Sequence, residues 1–384
     1  MAYDGVREAA ADQLVDWDDH AVRGPGGNVH QSLAWARYQS GLGYEPRFLV
    51  ADDDRRILVL MRRWPFPSGA RAYIPRGPIS AGDAPAAVAD RLDAVAHYLG
   101  QHGADIVASD AEMAAESGYA DAIRRCGFRP AEELQPSRHR LSVPLGAVTE
   151  AAAFAALSAS SRQHVRFAAK HGLRAVCSVV DDQLPAHADI EINRIDAVDN
   201  ASLRAAVHSL YIVVAETAAR RHFAIVAPER FSRWATMALC DRLGLLIEIR
   251  SPEGQTLGSA LFHRHGRRLT YFIAGDSAAN RRRYPGVMNL LVWRAIQLAI
   301  ALDLDELDLG GADVRGMRRR PLAGEAMHGV LAFKESFGAR WIDLTGNHAR
   351  VLNSARYAAG SLAERVGASV PHRSPRSTPH TVSA

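Results

Sequence analysis

The sequence predicts an α/β protein of the α+β kind, built from one unit used twice, and three observations predict it. Strand-like and helix-like segments alternate along the chain. Each half carries a β-hairpin followed by a strand, a helix and a strand, and the second half holds a helix from about Val287 to Leu302 that is apolar nearly all round. Apolarity on every side of a helix predicts burial. No clear sequence identity relates the halves, so the duplication lies in the order of elements. A length of 384 residues is ample for two such domains, each with its own core.

In the first half, QSLAWARYQSG from Gln31 to Gly41 reads as a short helix. The runs RFLVAD and RILVLMRR then flank the turn-rich DDDR and form a hairpin. After RAYIPRGPIS, Val88, Leu92, Val95 and Leu99 stand at i, i+4, i+7 and i+11, one face of a helix, and ADIVASD reads as a buried strand. A further helix is expected over AEMAAESGYADAIRRCG, with Gly127 as its C-cap, and RHRLSVPL closes the unit as a strand. The first domain is therefore assigned to residues 1–148.

The second domain is assigned to 149–349. Within it, RLGLLIEIRSPEGQTLGSALFHRHGRRLTYFIAGD reads as three strands joined by the turns SPEGQ and RHGRR. The loop SAANRRRYPG, the apolar helix and the strand ELDLGG follow, and ARWIDLTG is the last strand of this half. Residues 371–384, polar and proline-rich, predict a disordered tail.

Composition excludes several classes of function. Apolar residues make up 48% and charged residues 23%, ordinary for a globular protein. A net charge of +4 is too small for a protein that coats DNA, so only local clusters of arginine are candidates for phosphate binding. Cys126, Cys177 and Cys240 are far apart and form no CxxC pair, which argues against a disulfide framework and against a zinc site and fits a reducing cytoplasm. The acidic N-terminus lacks an apolar core of the signal-peptide kind, and no apolar run is long enough to span a membrane. His263 and His265 decorate a basic hairpin tip, and no metal is assigned to them.

The 46 basic residues include two lysines, Lys170 and Lys334, leaving 44 arginines. A general bias of Arg over Lys explains most of this. A lysine that persists against the bias is nevertheless a candidate for chemistry that arginine cannot perform, since arginine does not deprotonate and presents a planar fork instead of a compact charge. Chance survival is the competing explanation.

A hairpin followed by a strand, a phosphate-cradling loop, a long helix and another strand is the grammar of the acetyltransferase fold known as GNAT, and here it occurs in tandem. The marks QSLAWARYQ, AYIPRGP, SSRQHVRFAAKHG, LTYFIAGD, LDLGG and AFKESFG, in this order from about Gln31 to about Leu352, resemble the Fem family of aminoacyl-tRNA-dependent peptidyltransferases, which build peptidoglycan cross-bridges from two fused GNAT-like domains. The resemblance implies transfer of an amino acid from aminoacyl-tRNA to an amine on a muropeptide precursor, lipid-linked or UDP-linked, or on a small peptide or antibiotic intermediate. It implies no cofactor beyond the aminoacyl-tRNA co-substrate, no DNA partner, a cytoplasmic location with peripheral membrane contact left open, and a last helix, 350–366, that returns to the first domain.

The implied reaction passes through a tetrahedral oxyanion, whose stabilisation is usually the largest catalytic term. Lys334 aligns with the lysine of the family's Phe-Lys motif, implied to serve this role, with Phe333 beside it. The competing reading is a surface lysine paired with Glu335 or Asp343. Arg37 and Arg76 match basic family positions implied to grip precursor phosphates, for which a guanidinium is suited; an arginine at a helix surface or strand end explains each equally. Asp110 stands where family patterns show Asp-Pro and is a candidate acceptor of the amine's proton, or a helix N-cap. Arg162, Arg166 and Lys170 at i, i+4 and i+8 form a cationic stripe for an anionic partner or a solvated helix face. Tyr271 lines the acceptor channel or belongs to the core.

Acyl-CoA enzymes of this fold cradle pyrophosphate with a loop of the form Arg/Gln-x-x-Gly-x-Gly/Ala at a helix N-terminus. The corresponding run here is Arg283-Tyr-Pro-Gly286-Val-Met288, whose last small residue is replaced by methionine, and AYIPRGPISAGD in the first half has no such spacing. Impaired CoA binding is therefore expected in both domains. A CoA-dependent N-acyltransferase is the alternative function.

Overall fold

The computed structural model describes residues 5–135, 138–180, 184–196, 200–312 and 319–369. Its chain divides after Arg138: unit 1 runs to that residue and resumes at Asp343, and unit 2 extends from His139 to Ile342. Unit 1 begins with β1 (Val6–Glu8), α1 (Ala11–Val15) and α2 (Leu33–Ser40), the last opened by Ser32, whose Oγ accepts from the Trp35 N–H at 3.0 Å. The hairpin β2 (Glu45–Ala51) and β3 (Arg56–Arg63) follows, then β4 (Ala70–Ile74), α3 (Pro85–Gln101), β5 (Ala104–Ser109), α4 (Tyr119–Arg125) and β6 (Arg129–Pro130). Val88, Leu92, Val95 and Leu99 are all buried against the sheet, as their spacing predicts.

Unit 2 opens with β7 (His139–Pro144), α5 (Glu150–Ala156), α6 (Ala159–Lys170), β8 (Arg174–Val179) and β9 (Ile190–Arg194). The helices α7 (Asn200–Arg221) and α8 (Pro228–Cys240) come next, in a stretch without an expected element. The meander β10 (Gly244–Arg250), β11 (Thr256–His265) and β12 (Arg268–Asp276) leads through α9 (Val287–Ala301) to β13 (Glu306–Asp308), α10 (His328–Glu335) and β14 (Arg340–Asp343). The chain then returns to unit 1 as β15 (His348–Val351) and α11 (Ser354–Ser369), which packs near β5.

The sheet of unit 1 has the order β1-β2-β3-β4-β5-β15-β6, and that of unit 2 the order β14-β7-β13-β12-β11-β10-β8-β9. In both, an antiparallel meander ends in a strand that pairs in parallel with the strand beyond a long helix: β4 with β5 through α3, and β12 with β13 through α9. The strand next in order is antiparallel, β15 in unit 1 and β7 in unit 2. In unit 2 both sheet faces are covered. Ile273 and Leu261 pack with α7 and α8, whereas the alternate residues Ala274, Ala260 and Phe262 pack with α9. Burial of both faces is why these strands read as nearly continuous apolar runs.

Two expectations are corrected here. The strand in RHRLSVPL belongs to unit 2, because β7 pairs with β13 from Glu306↔Pro144 to Asp308↔Ser142. The boundary therefore falls at 138/139 instead of after residue 148, and β15 fills the equivalent place beside β5. The helix expected over 111–127 is confined to α4, a short 3-10 turn at Ala115–Ser117 preceding it, because Gly118 takes φ +83 and breaks the run. The predicted tail 371–384 lies outside the described residues, as do residues 313–318 of the basic stretch before Lys334.

α7 lies so close to β12 that a Cβ added to Gly275 would stand 2.2 Å from the Val213 carbonyl oxygen. Backbone cannot yield as a side-chain tip can. Gly275→Ala is expected to destabilise unit 2 by about 2–3 kcal/mol, within the range for overpacked cores, measured as a lowered midpoint of chemical unfolding.

Candidate functional site

Residues with chemical potential gather at one place in each unit. In unit 2 the parallel pairing of β12 with β13 covers Arg268↔Glu306, Leu269↔Leu307 and Thr270↔Asp308, and then the strands part. The chain beyond β13 follows β7 instead: the Leu309 N–H donates to the Leu141 carbonyl at 2.8 Å and the Leu141 N–H to the Gly310 carbonyl at 3.0 Å. Asp308 Oδ1 accepts from the Gly310 N–H at 2.8 Å, and Gly310 turns the chain with φ +72, a conformation that favours glycine.

Lys334, on α10, reaches this opening. It is 5% exposed, its Nζ donates to the Gly311 carbonyl at 2.6 Å, and it lies 6.0 Å from the ring centroid of Tyr271, the first β12 residue beyond the paired stretch. A buried ammonium needs such partners to offset its lost hydration, and a ring face supplies part of that compensation. The reading of Lys334 as a surface residue is thereby corrected. Tyr271 is half-buried with its ring edge-on to Phe262, and burial, reinforced by Asp276, holds its phenol above its ordinary pKa. Phe333 packs against the core and edge-on to Phe337 at 5.2 Å, so it anchors α10 beneath the lysine.

At the N-terminus of α9, where the pyrophosphate cradle of an acyl-CoA enzyme is expected, α6 approaches closely on one side, while Gly286, Met288 and Asn289 stay partly exposed. A Cβ on Gly286 would stand 2.6 Å from the His164 carbonyl oxygen of α6, and Asn289 donates to Ser161 Oγ at 3.2 Å. Val287 and Met288 pack on Gly258 of β11. Two of the three arginines of the preceding loop are engaged: Arg281 bonds Asp276, which also holds Arg220 at 2.5 Å, and Arg283 faces Glu253 at 3.4 Å.

The cationic stripe of α6 is dispersed. Arg162 folds back to cap α5, donating to the Ala155 carbonyl at 2.9 Å and to that of Leu157. Arg166 lies over the Phe154 ring at 5.2 Å, and Lys170 is exposed in the last turn. Spacing placed the three on one helix, but two of the three charges are directed at their own unit.

In unit 1, β4 and β5 stay paired to their ends, Ile74↔Ser109, and side chains then close the gap. Ser109 Oγ donates to the Gly77 carbonyl at 2.6 Å. Asp110, 2% exposed, accepts from the Arg76 N–H at 2.6 Å and from the Tyr73 hydroxyl at 3.0 Å, which itself accepts from Gln135 at 3.0 Å. Asp110 thus caps no helix. The Arg76 guanidinium lies between Asp110 at 3.8 Å and Glu112 at 3.9 Å, and Glu112 also accepts from Asn28 at 3.1 Å. Burial pushes the Asp110 carboxyl up to about 6, against the opposing pull of Arg76. Arg37 is exposed in the last turn of α2. Gln135 joins these sites without any local sequence signal, and Tyr73 and Gly311, although inside AYIPRGP and LDLGG, are not singled out by them, since each partner lies far along the chain.

Residues 181–316 match the model of the acetyltransferase (GNAT) domain. No curated protein matches the chain in sequence. Among solved structures, FemX superposes with a TM-score of 0.72 at 15% identity, covering 92% of this chain and 99% of its own. The L-PGS of Bacillus licheniformis gives a TM-score of 0.51 at 15% identity, covering 94% and 98%. The C-terminal domain of a lysylphosphatidylglycerol synthetase from Agrobacterium fabrum gives 0.50 at 15% identity, covering 93% and 96%. The chain therefore folds as two tandem GNAT-like domains, the fold it shares with FemX, and the acetyltransferase model matched over residues 181–316 supports an acyltransferase. No helix among the described residues is long and apolar enough to cross a membrane.

The raised pKa of Asp110 has a consequence for stability. A carboxyl whose folded pKa exceeds its unfolded value contributes stability below the unfolded pKa of about 3.9 that is lost as pH rises through the folded value. For Asp110 that window runs from about pH 4 to about 6. The stability of Asp110→Asn relative to the parent protein is expected to rise across this window by on the order of 2 kcal/mol, and to be flat above pH 7, in urea unfolding at a series of pH values.

Proposed function

We propose that the chain is an aminoacyltransferase that moves an amino acid from aminoacyl-tRNA to the amine of a peptide-type acceptor, a peptidoglycan precursor or a related peptide intermediate, with no other cofactor. The observation that carries this reading is Lys334: a buried ammonium held at the parting of β12 and β13, against the Gly311 carbonyl and the Tyr271 ring. The amine nitrogen attacks the ester carbonyl carbon, and the carbonyl becomes an oxyanion that the ammonium stabilises. Collapse breaks the bond to the terminal ribose oxygen, which leaves as a hydroxyl. It gains one proton, and the attacking amine loses one. Asp110 is the proposed acceptor of the amine's proton, since a pKa of about 6 leaves it ionised at neutral pH. Arg37 and Arg76 are the proposed contacts to acceptor phosphates, Arg76 exchanging its carboxylate neighbours for phosphate oxygens, and Tyr271 is the proposed wall of the acyl site.

Residues 181–316 match the acetyltransferase (GNAT) domain model, so an acyl-CoA-dependent N-acyltransferase is the second reading. Purified protein incubated with charged tRNA pools and, separately, with acyl-CoA distinguishes the two, with amine acceptors and phosphatidylglycerol offered in each arm. Product from charged tRNA and an amine is expected. Product from CoA alone overturns the donor, and product on the lipid alone overturns the acceptor. Lys334→Arg keeps the charge and changes its shape, and its turnover is expected to fall by at least about tenfold, a loss of roughly 1.4 kcal/mol of transition-state stabilisation. Near-normal turnover in that variant removes Lys334 from the mechanism.

A further inference from the structure

The peptide joining Gly311 to Ala312 is held at both ends. Its carbonyl oxygen accepts from Lys334 Nζ at 2.6 Å, and its N–H donates to His139 Nε2 at 3.1 Å. His139 opens β7, is 2% exposed, and stacks on Trp341 of β14 with ring centroids 3.6 Å apart and planes 15° from parallel. Accepting at Nε2 requires the neutral ring with its proton on Nδ1. The peptide needs an anchor of this kind. Gly311 places no side-chain restraint on its own torsions, and Gly310 before it already turns at φ +72. Rotation of the peptide plane would carry the carbonyl away from Lys334.

We propose that His139 is a positioning residue: by accepting the Ala312 N–H it fixes the orientation of the Gly311 carbonyl and so holds the Lys334 ammonium in the opening of unit 2. The effect on turnover rests on the proposed role of Lys334, and the effect on the lysine itself does not. The stacked face of Trp341 fixes the ring plane, and burial excludes water from competing for Nε2. His139 and Ala312 are 173 residues apart, so the contact forms only once β7 has paired with β13.

The two-lysine composition makes the test direct, because protein labelled at lysine Nζ and Cε gives two signals, with exposed Lys170 as internal reference. His139→Phe keeps a ring on Trp341 and removes the acceptor; His139→Gln returns an oxygen near the position of Nε2. In His139→Phe the Nζ protons of Lys334 are expected to exchange with water about tenfold faster while Lys170 is unmoved. Turnover is expected to fall at least about fivefold with KM for the acyl donor nearly constant, and His139→Gln to restore both. Unchanged Lys334 exchange in a folded His139→Phe protein overturns the proposal. If that variant does not fold, His139→Asn, whose shorter amide does not reach Ala312, is read against His139→Gln, and equal Lys334 exchange in the two overturns it. Faster Lys334 exchange in a protein that shows no transfer from charged tRNA supports the clamp and sinks the functional reading instead.

Discussion

β13 pairs with β12 for three residues, beyond which the chain follows β7 alone, and the placement of Lys334 in unit 2 depends on that parting. Backbone groups near the separation must find other partners or water. A turn through Gly310, a lysine from α10 and a histidine from β7 meet there. A Cβ on Gly310 would make only ordinary contacts, 3.6 Å from the Tyr271 carbonyl oxygen and 3.8 Å from Lys334 Nζ, so its glycine is required by the positive φ and not by crowding. The fold supplies an opening, and the turn converts it into a place where one cation is held.

Unit 1 repeats the element order and not the site. There the parallel strands remain paired to their last residues, and Ser109, Asp110 and the chain from Arg76 to Gly77 stitch together the region that stands open in unit 2. The result is a buried carboxylate with a tyrosine and an arginine on it, in place of a buried ammonium beneath a tyrosine. Architecture duplicated in this way provides two scaffolds of the same grammar carrying opposite charge.

Much of the fold was legible because its signals are local. The hairpin of β2 and β3, the apolar stripe of α3, the meander of β10 to β12 and the all-round apolarity of α9 each follow from periodicity within a short window. What was not legible depends on pairing or direction. β7 reads correctly as a strand, yet its neighbour is chosen by a free sheet position more than 150 residues later, so the domain boundary was set about ten residues too far along. Spacing put Arg162, Arg166 and Lys170 on one helix, but spacing does not say that Arg162 turns back to the carbonyls that end α5. Asp110 was recognisable as a carboxylate after a buried strand, and its partners Tyr73 and Gln135 were not, being brought together only by the sheet and the loop beyond β6. His139 had no signal at all.

The scarcity of lysine acquires a physical meaning at Lys334 and none at Lys170. An ammonium sets three donors around one atom, so a carbonyl and a ring face can both be addressed from a single position. A guanidinium spreads five donors over a plane and needs a slot wide enough to receive it. The site in unit 2 is narrow in that sense: Nζ is 2.6 Å from a carbonyl on a clamped peptide and 6.0 Å from a ring centroid, and the side chain is almost wholly enclosed. Lys170, exposed at the end of α6 with solvent around it, meets no such geometry, and arginine would satisfy its surroundings equally well. A bias toward arginine therefore meets a steric and directional obstacle at Lys334, and that position is where the two strands part.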